Sequence, residues 1–257
     1  MPAEVSEIGC DGARRKLDCE WITEEPVALE FNGLSYAVMM ASPWDLEDFA
    51  RGFVLTECLA ADASSIGEVT VAQVPNGWIV RSQLAGLGIE KLAARVRTRV
   101  AESSCGLCGV ENLEAVSHPL PKIAQPFRPE HKAVFRALAG LRELQLHNKR
   151  TSAAHAAAFA TPEGQILCVR EDVGRHNAVD KLIGAMAGQM QPVDANGFFV
   201  STARCSYEIV EKIVRVGGRA LVTVSLPTSM AVARAREARL SLYCLARDDS
   251  FLEVVPV

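Results

Sequence analysis

The sequence predicts an α/β fold, a layered mixed sheet with helices on both faces, preceded by a smaller N-terminal α+β subdomain. Three observations predict it. From Pro129 onward, short apolar runs alternate with segments of helical spacing, the texture of a sheet covered by helices. Ahead of them, Asn32-Gly33 and Asn76-Gly77 each sit between apolar runs and mark two hairpins. Between the two regions lie Pro119, Pro121, Pro126 and Pro129, a stretch that reads as a linker. The expected organisation is a loose polar arm over 1–20, a subdomain over 21–118, a linker over 119–129 and the α/β subdomain over 130–257.

The elements follow in order. Val27, Leu29 and Phe31 alternate with smaller or polar residues, and Tyr36 to Met40 returns from the turn. Ser42-Pro43-Trp44-Asp45 predicts a helix start, with a hydroxyl cap, proline at the first position and an acid in the first turn. Leu46, Phe49, Phe53, Leu55 and Leu59 share one face of that helix. Val69, Val71 and Val74, then Trp78, Ile79 and Val80, form the second hairpin. Leu87 to Val100 has helical spacing, yet Arg95, Arg97 and Arg99 alternate as an exposed strand would. In the second half, helices are expected at 130–145, 177–190, 206–216 and 229–239. Strands are expected at 156–160, 165–170, 197–201, 220–225, 240–246 and 251–255.

Composition narrows the function classes. With 257 residues, 49% hydrophobic and 23% charged, the chain is ordinary for a globular protein and can bury a sizeable core. A net charge of -4 gives no reason to expect a nucleic-acid or anionic-membrane partner. No apolar run is long enough to span a bilayer, and Met1-Pro2-Ala3-Glu4-Val5 has neither the basic start nor the apolar core of a secretory signal. A cytoplasmic location is expected.

Eight cysteines are scattered apart from Cys105 and Cys108, which argues against a disulfide framework. Cys58, Cys168, Cys205 and Cys244 sit in apolar-rich runs and read as small buried hydrophobes. Ser104-Cys105-Gly106-Leu107-Cys108-Gly109 is different, because glycine follows each thiol and the two are kept accessible. Such a pair can hold a metal, cycle through a disulfide or carry sulfur as a persulfide. A zinc site needs two more ligands, and no second Cys-x-x-Cys exists. His118, His155 and His176 lack finger or ribbon spacing, so no bound metal is expected. The glycines disfavour a thioredoxin-like helix start, and no His-x-Glu of a zinc deaminase precedes the pair. The carrier reading fits best. Arg95, Arg97 and Arg99 either lower the thiol pKa or form a solvated basic face.

Three polar stretches stand at predicted strand ends, where α/β sheets place ligands. They are Thr151 to His155, Glu171 to Asn177 and Ser201 to Glu208. In the second, Asp172, Arg175 and His176 crowd a helix start, where a bland reading has Asp172 or Asn177 capping and Arg175 pairing with Glu171. Five such residues exceed what a cap needs. Arginine beside free N–H groups is a phosphate-binding arrangement, and Arg204 adds a second cation.

These stretches, in this order, resemble the formate dehydrogenase accessory sulfurtransferases, the FdhD family. The resemblance runs from about Glu25 to near the C-terminus. It rests on the cysteine loop, on Thr151 to His155 and on Glu171-Asp172-Val173-Gly174-Arg175-His176-Asn177-Ala178-Val179-Asp180-Lys181. Arg204 to Glu208 and Ser225-Leu226-Pro227-Thr228 complete it. The chain departs from the family at Ser152 and Ala203, where glycine is usual, at Cys244-Leu245 in place of glycine-phenylalanine, and at Asp248-Asp249.

The resemblance implies a cytidine-deaminase-like layered sheet and a homodimer. It implies a sulfurtransferase that takes persulfide sulfur from a cysteine desulfurase. The sulfur passes to the molybdenum (or tungsten) bis-pterin guanine dinucleotide cofactor, a bound substrate, before insertion into formate dehydrogenase. Cys105 is then the carrier, assisted or resolved by Cys108. The cofactor lies over the strand ends, against Thr151, His155, Asp172, Arg175, His176 and Arg204 and the C-terminal loop of Leu245, Ala246, Arg247, Asp248, Asp249 and Ser250. The alternative is a chaperone that holds the cofactor for formate dehydrogenase without sulfur transfer.

Overall fold

The computed structural model describes residues 2–100, 119–188 and 196–255, so Cys105 and Cys108 lie outside the described residues. The N-terminal half holds β3 (Glu25–Phe31), β4 (Leu34–Ala41), α1 (Leu46–Thr56), β5 (Thr70–Val74), β6 (Gly77–Ser82) and α2 (Ile89–Val100). Both Asn-Gly turns close the expected hairpins, and Asn32 takes φ 52 with Gly33 at φ 79. Parallel pairing of β3 with β6 joins the hairpins in the order β4-β3-β6-β5. Alternation along β3 turns Val27, Leu29 and Phe31 inward onto Leu46, Phe49 and Phe53 of α1. The helical alternative holds for 89–100.

The second half is a six-stranded sheet in the order β12-β11-β10-β9-β7-β8. Its strands are β7 (His155–Ala160), β8 (Ile166–Asp172), β9 (Phe198–Ser201), β10 (Ala220–Thr223), β11 (Ser241–Cys244) and β12 (Leu252–Val255). β9, β10 and β11 are parallel, whereas β7, β8 and β12 pair antiparallel. Helix α3 (His131–Leu144) covers one face with Val134, Leu138 and Leu141. Helices α5 (Arg175–Gly188), α6 (Tyr207–Arg215) and α7 (Ser229–Ala238) cover the other. Because both faces are covered, β9 and β10 are buried at every residue and read as unbroken apolar runs. A short α4 (Leu146–Thr151) leads into β7.

Helices α1 and α5 pack with backbone against backbone. A Cβ on Gly52 would lie 1.7 Å from the Asp180 carbonyl oxygen, and one on Gly184 would lie 1.8 Å from that of Asp48. Only glycine permits that approach.

Four expectations are corrected. Residues 1–20, expected as a loose arm, form β1 (Pro2–Ile8) and β2 (Arg14–Glu20), an antiparallel ribbon. It carries cross-strand pairs Lys16–Glu4 (2.7 Å) and Arg15–Glu7 (2.8 Å) and is tied down by Arg150–Glu20 at 2.7 Å. The expected linker packs instead: Leu120 and Ile123 are buried, and the Ile123 N–H donates to the Ala238 carbonyl at 2.9 Å. Helix α1 begins at Leu46 rather than at Ser42, behind Asp45 in the left-handed region at φ 52. Cys58 is exposed at the helix end, whereas Cys168, Cys205 and Cys244 are buried as expected. None of the described helices is long and apolar enough to cross a membrane.

Candidate functional site

Strand pairing gathers the polar stretches at one end of the large sheet. Antiparallel register sets His155, the first residue of β7, opposite Asp172, the last of β8. Ser201, ending β9, pairs with both Ala157 and Thr223. From the ends of β10 and β11, the Leu245 N–H donates to Ser225 O (3.3 Å) and Arg247 Nη1 to Val224 O (2.8 Å). Thr151, His155, Asp172, Arg175, His176, Arg204 and residues 245–250 therefore share this end, although they come from four places in the chain. The cysteine pair lies outside the described residues and is not placed relative to them.

The residues of the 171–177 stretch divide into two groups. One group faces inward and fastens the N-terminal half. Asp172 is fully buried, with Oδ1 accepting from Gly174 N–H (2.7 Å) and Asn177 Nδ2 (2.9 Å). Its Oδ2 accepts from Ser42 N–H (3.1 Å) and from Lys181 Nζ at 2.7 Å. Lys181, fully buried as well, also donates to Ser42 O at 2.9 Å, and Asn177 Nδ2 donates to Met40 O at 2.9 Å. Ser42 Oγ in turn accepts the Val173 N–H (3.1 Å), which is why it does not cap α1. Glu171 does not pair with Arg175. Its carboxylate accepts the His147 and Asn148 N–H groups at 2.8 Å each, satisfying the start of α4. Trp44 Nε1 donates to Glu171 O (3.0 Å), and its ring stacks on His147 with centroids 3.9 Å apart. Asp172 thus stands behind the rim of the site, not on it.

The other group faces outward. Arg175 and His176 open α5, and Arg175 Nε is buried without a hydrogen-bond partner among the described residues. His176 Nε2 lies 3.1 Å from Glu208 Oε2 and 3.5 Å from Ser206 Oγ. The bond to His176 holds the Glu208 carboxyl below its ordinary value despite partial burial. Burial pushes His155 below its ordinary value, and the charges of Arg175 and His176 add to this. A neutral His155 beside Arg175 leaves the arginine as the fixed positive charge. Arg204 is exposed on the neighbouring loop, so the rim presents two cations to solvent. Anions are the ligands such a rim favours.

Beside the rim, a cleft of about 260 Å³ opens between α3, α4 and the strand ends, lined by Leu138, Arg142, Asn148, His155, Thr202 and Val224. The C-terminal loop flanks it. Ala246 is buried with its N–H on Thr223 O (3.1 Å), and Leu245 turns the chain at φ 51. Asp248 pairs with Arg142, and Ser250 Oγ donates to Asp249 at 3.0 Å. Thr151 bonds inward to His147 O at 2.8 Å. Ser152 ends α4 at φ 52, a conformation glycine adopts freely.

Sequence reasoning gave Ser42, Trp44 and Asn148 no part in the site, and it placed Lys181 and Glu208 in its motifs without a role of their own. Ser42 and Trp44 carried a local signal, but it was that of a helix start. Lys181 lies six residues beyond Arg175 on the same helix, on its buried side beneath the loop.

Residues 22–254 match the model of the FdhD/NarQ family. A protein of Variovorax paradoxus named sulfur carrier protein FdhD is 42% identical over 234 residues, 91% of this chain and 84% of the relative. One of the same name from Chromobacterium violaceum is 41% identical over 248 residues, 95% and 91% of the two chains. The fold matches a crystal structure from Desulfotalea psychrophila, provisionally assigned as a formate dehydrogenase accessory protein. The TM-score is 0.77 at 21% identity, covering 100% of this chain and 96% of that one. The motifs that converge on the sheet end therefore belong to a matched sequence that spans nearly the whole molecule, and the chain is a member of the FdhD/NarQ family.

Proposed function

We propose that this protein is a sulfur carrier in the maturation of formate dehydrogenase. The Cys105 thiolate attacks the outer sulfur of a cysteine desulfurase persulfide. The S–S bond of the donor breaks, its thiolate leaves and Cys105 becomes a persulfide. Cys108 assists or resolves. The sulfur then passes to the molybdenum or tungsten bis-pterin guanine dinucleotide, held as substrate at the sheet end, before that cofactor enters formate dehydrogenase. The protein acts in this reading as a homodimer.

One observation carries the proposal beyond family membership: four separate chain segments bring His155, Arg175 with His176, Arg204 and the 245–250 loop to one sheet end. Arg175 at the start of a 14-residue helix and the exposed Arg204 suit the phosphates of a dinucleotide. The cleft beside them has the polar donors Asn148 and Thr202 and the apolar wall of Leu138 that a base requires.

Intact mass after incubation with a cysteine desulfurase and cysteine tests the chemistry. The expected result is a gain of one sulfur atom, reversed by reductant and lost in Cys105→Ala. No gain in the unaltered chain with a competent desulfurase would replace this reading with that of a cofactor-holding chaperone.

A further inference from the structure

The cleft beside the rim carries one permanent charge in its lining, and that charge already has a partner. Among the described residues that line it, only Arg142 is a fixed cation; the others are apolar or neutral polar groups, apart from His155. Arg142 stands in the last turn of α3, and its Nη1 donates to Asp248 Oδ1 of the C-terminal loop. The pair joins residues 106 apart in the chain. It runs from the helix that walls the cleft to the loop that flanks it.

Both backbones are held, so the two side chains are the parts free to move. On the helix, Leu138 and Leu141, just ahead of Arg142, are buried in the core. On the loop, the Arg247 N–H donates to Ser250 O at 2.8 Å and closes a turn with Asp248 and Asp249 at its middle. Arg247 Nη1 pins that turn to Val224 O at 2.8 Å, and Val224 is itself part of the cleft wall. The side chains of the pair, by contrast, are open to water, Arg142 by 49% and Asp248 by 76%. Water screens such a pair, which shifts an equilibrium by about fivefold at most. A phosphate is the stronger acceptor. It is more highly charged than a carboxylate at neutral pH, and its oxygens match the guanidinium fork bidentately.

We propose that Asp248 competes with a nucleotide phosphate for Arg142, and so selects for the cleft those ligands that bring a multiply charged anion. A phosphate at the mouth of the cleft takes the guanidinium; the Asp248 carboxylate turns out to water, and no backbone moves. An uncharged nucleoside cannot make the exchange, because releasing Asp248 would leave Arg142 without an anion. Asp248 is thus a specificity-determining residue that acts through Arg142. The inference rests on the reading of this cleft as the seat of a guanine dinucleotide, and adds to it the residue that sets the required charge. Neither Cys105 nor Cys108 is involved.

Calorimetric titration of the full chain with guanosine diphosphate tests this. The proteins compared are the unaltered chain, Asp248→Asn, Arg142→Gln and the double variant. Both side chains are exposed, so each variant should keep the unaltered urea midpoint. Asp248→Asn should bind guanosine diphosphate about fivefold more tightly, the strength of the pair released. Arg142→Gln should bind it about tenfold more weakly, the loss of a charge-assisted hydrogen bond. In the double variant the gain from Asp248→Asn should vanish. An affinity for Asp248→Asn no tighter than that of the unaltered chain overturns the proposal. A pair that merely braces the loop gives that result, since losing either partner would then weaken binding. A gain that persists in the double variant also overturns it, by making Asp248 a general repulsive charge. Either result leaves the nucleotide cleft standing. Binding by none of the four proteins overturns the inference and the nucleotide reading together.

Discussion

Asp180 and Lys181 are neighbours on one helix, and each belongs to a buried ion pair of the second half that also hydrogen-bonds to the N-terminal half, at Thr56 and at Ser42. The two pairs do different things. Lys181 reaches Asp172 and Ser42, and so fixes the loop behind the rim. Asp180 reaches Lys212 of α6 at 2.9 Å and Thr56 of α1 at 2.7 Å, and so binds helix to helix away from the rim. Burial pulls Lys181 below the ordinary lysine value more than Asp172 raises it. Burial pulls on Lys212 as well, but Asp180 and a second carboxylate, Glu57 at 3.4 Å, outweigh it and hold Lys212 above its ordinary value. The Asp180 carboxyl is itself pushed up by burial, against which Lys212 and the Thr56 hydroxyl act. Lys181 thus has one carboxylate partner against its burial, whereas Lys212 has two.

Three changes would break or sharpen the contrast. Asp172→Ala strands Lys181 as an unpaired buried charge and should cost about 3–5 kcal/mol in urea unfolding. It should also shift the NMR signals of His155 and His176. Asp180→Ala leaves Lys212 with Glu57 and Thr56, so a loss nearer about 2 kcal/mol is expected, with the rim histidine signals unmoved. Equal losses from the two variants would refute the distinction. The smallest effect belongs to His155. Its folded-state pKa lies below the unfolded value, so between the two the unfolded chain binds more protons. Stability should therefore fall as pH drops below about 6.5, and the loss should be complete below the folded-state pKa. His155→Gln should flatten that region of the pH profile.

The same contrast explains what could be read from the sequence. The Asn-Gly hairpins, the strand–helix alternation and the three rim stretches were legible because each rests on local chemistry: left-handed turn residues, periodicity, and polar residues crowded at strand ends. The joint was not. Ser42-Pro43-Trp44 carries a strong capping signal, but the buried carboxylate of Asp172, 130 residues away, claims the Ser42 amide, and the helix starts later. The β1–β2 ribbon was invisible because neither of its strands buries an alternate face, leaving no period-two pattern to find. Leu120 and Ile123 were hidden among four prolines. Cys58 sits in an apolar run but occupies a left-handed turn at φ 52 after α1, which turns it outward.

The glycine contact between α1 and α5 has a mechanical consequence. Domain-closing proteins move about joints that slide or flex with little loss of buried contact. Here the two backbones touch at Gly52 and Gly184, with a buried lysine engaged on either side. Opening this joint would bring Lys181 and Lys212 into solvent and, in the same motion, pull a pair of interlocked helices apart. Hinging of the two halves at this joint would therefore have to overcome both costs together, and the rim is backed by a seam that resists being parted.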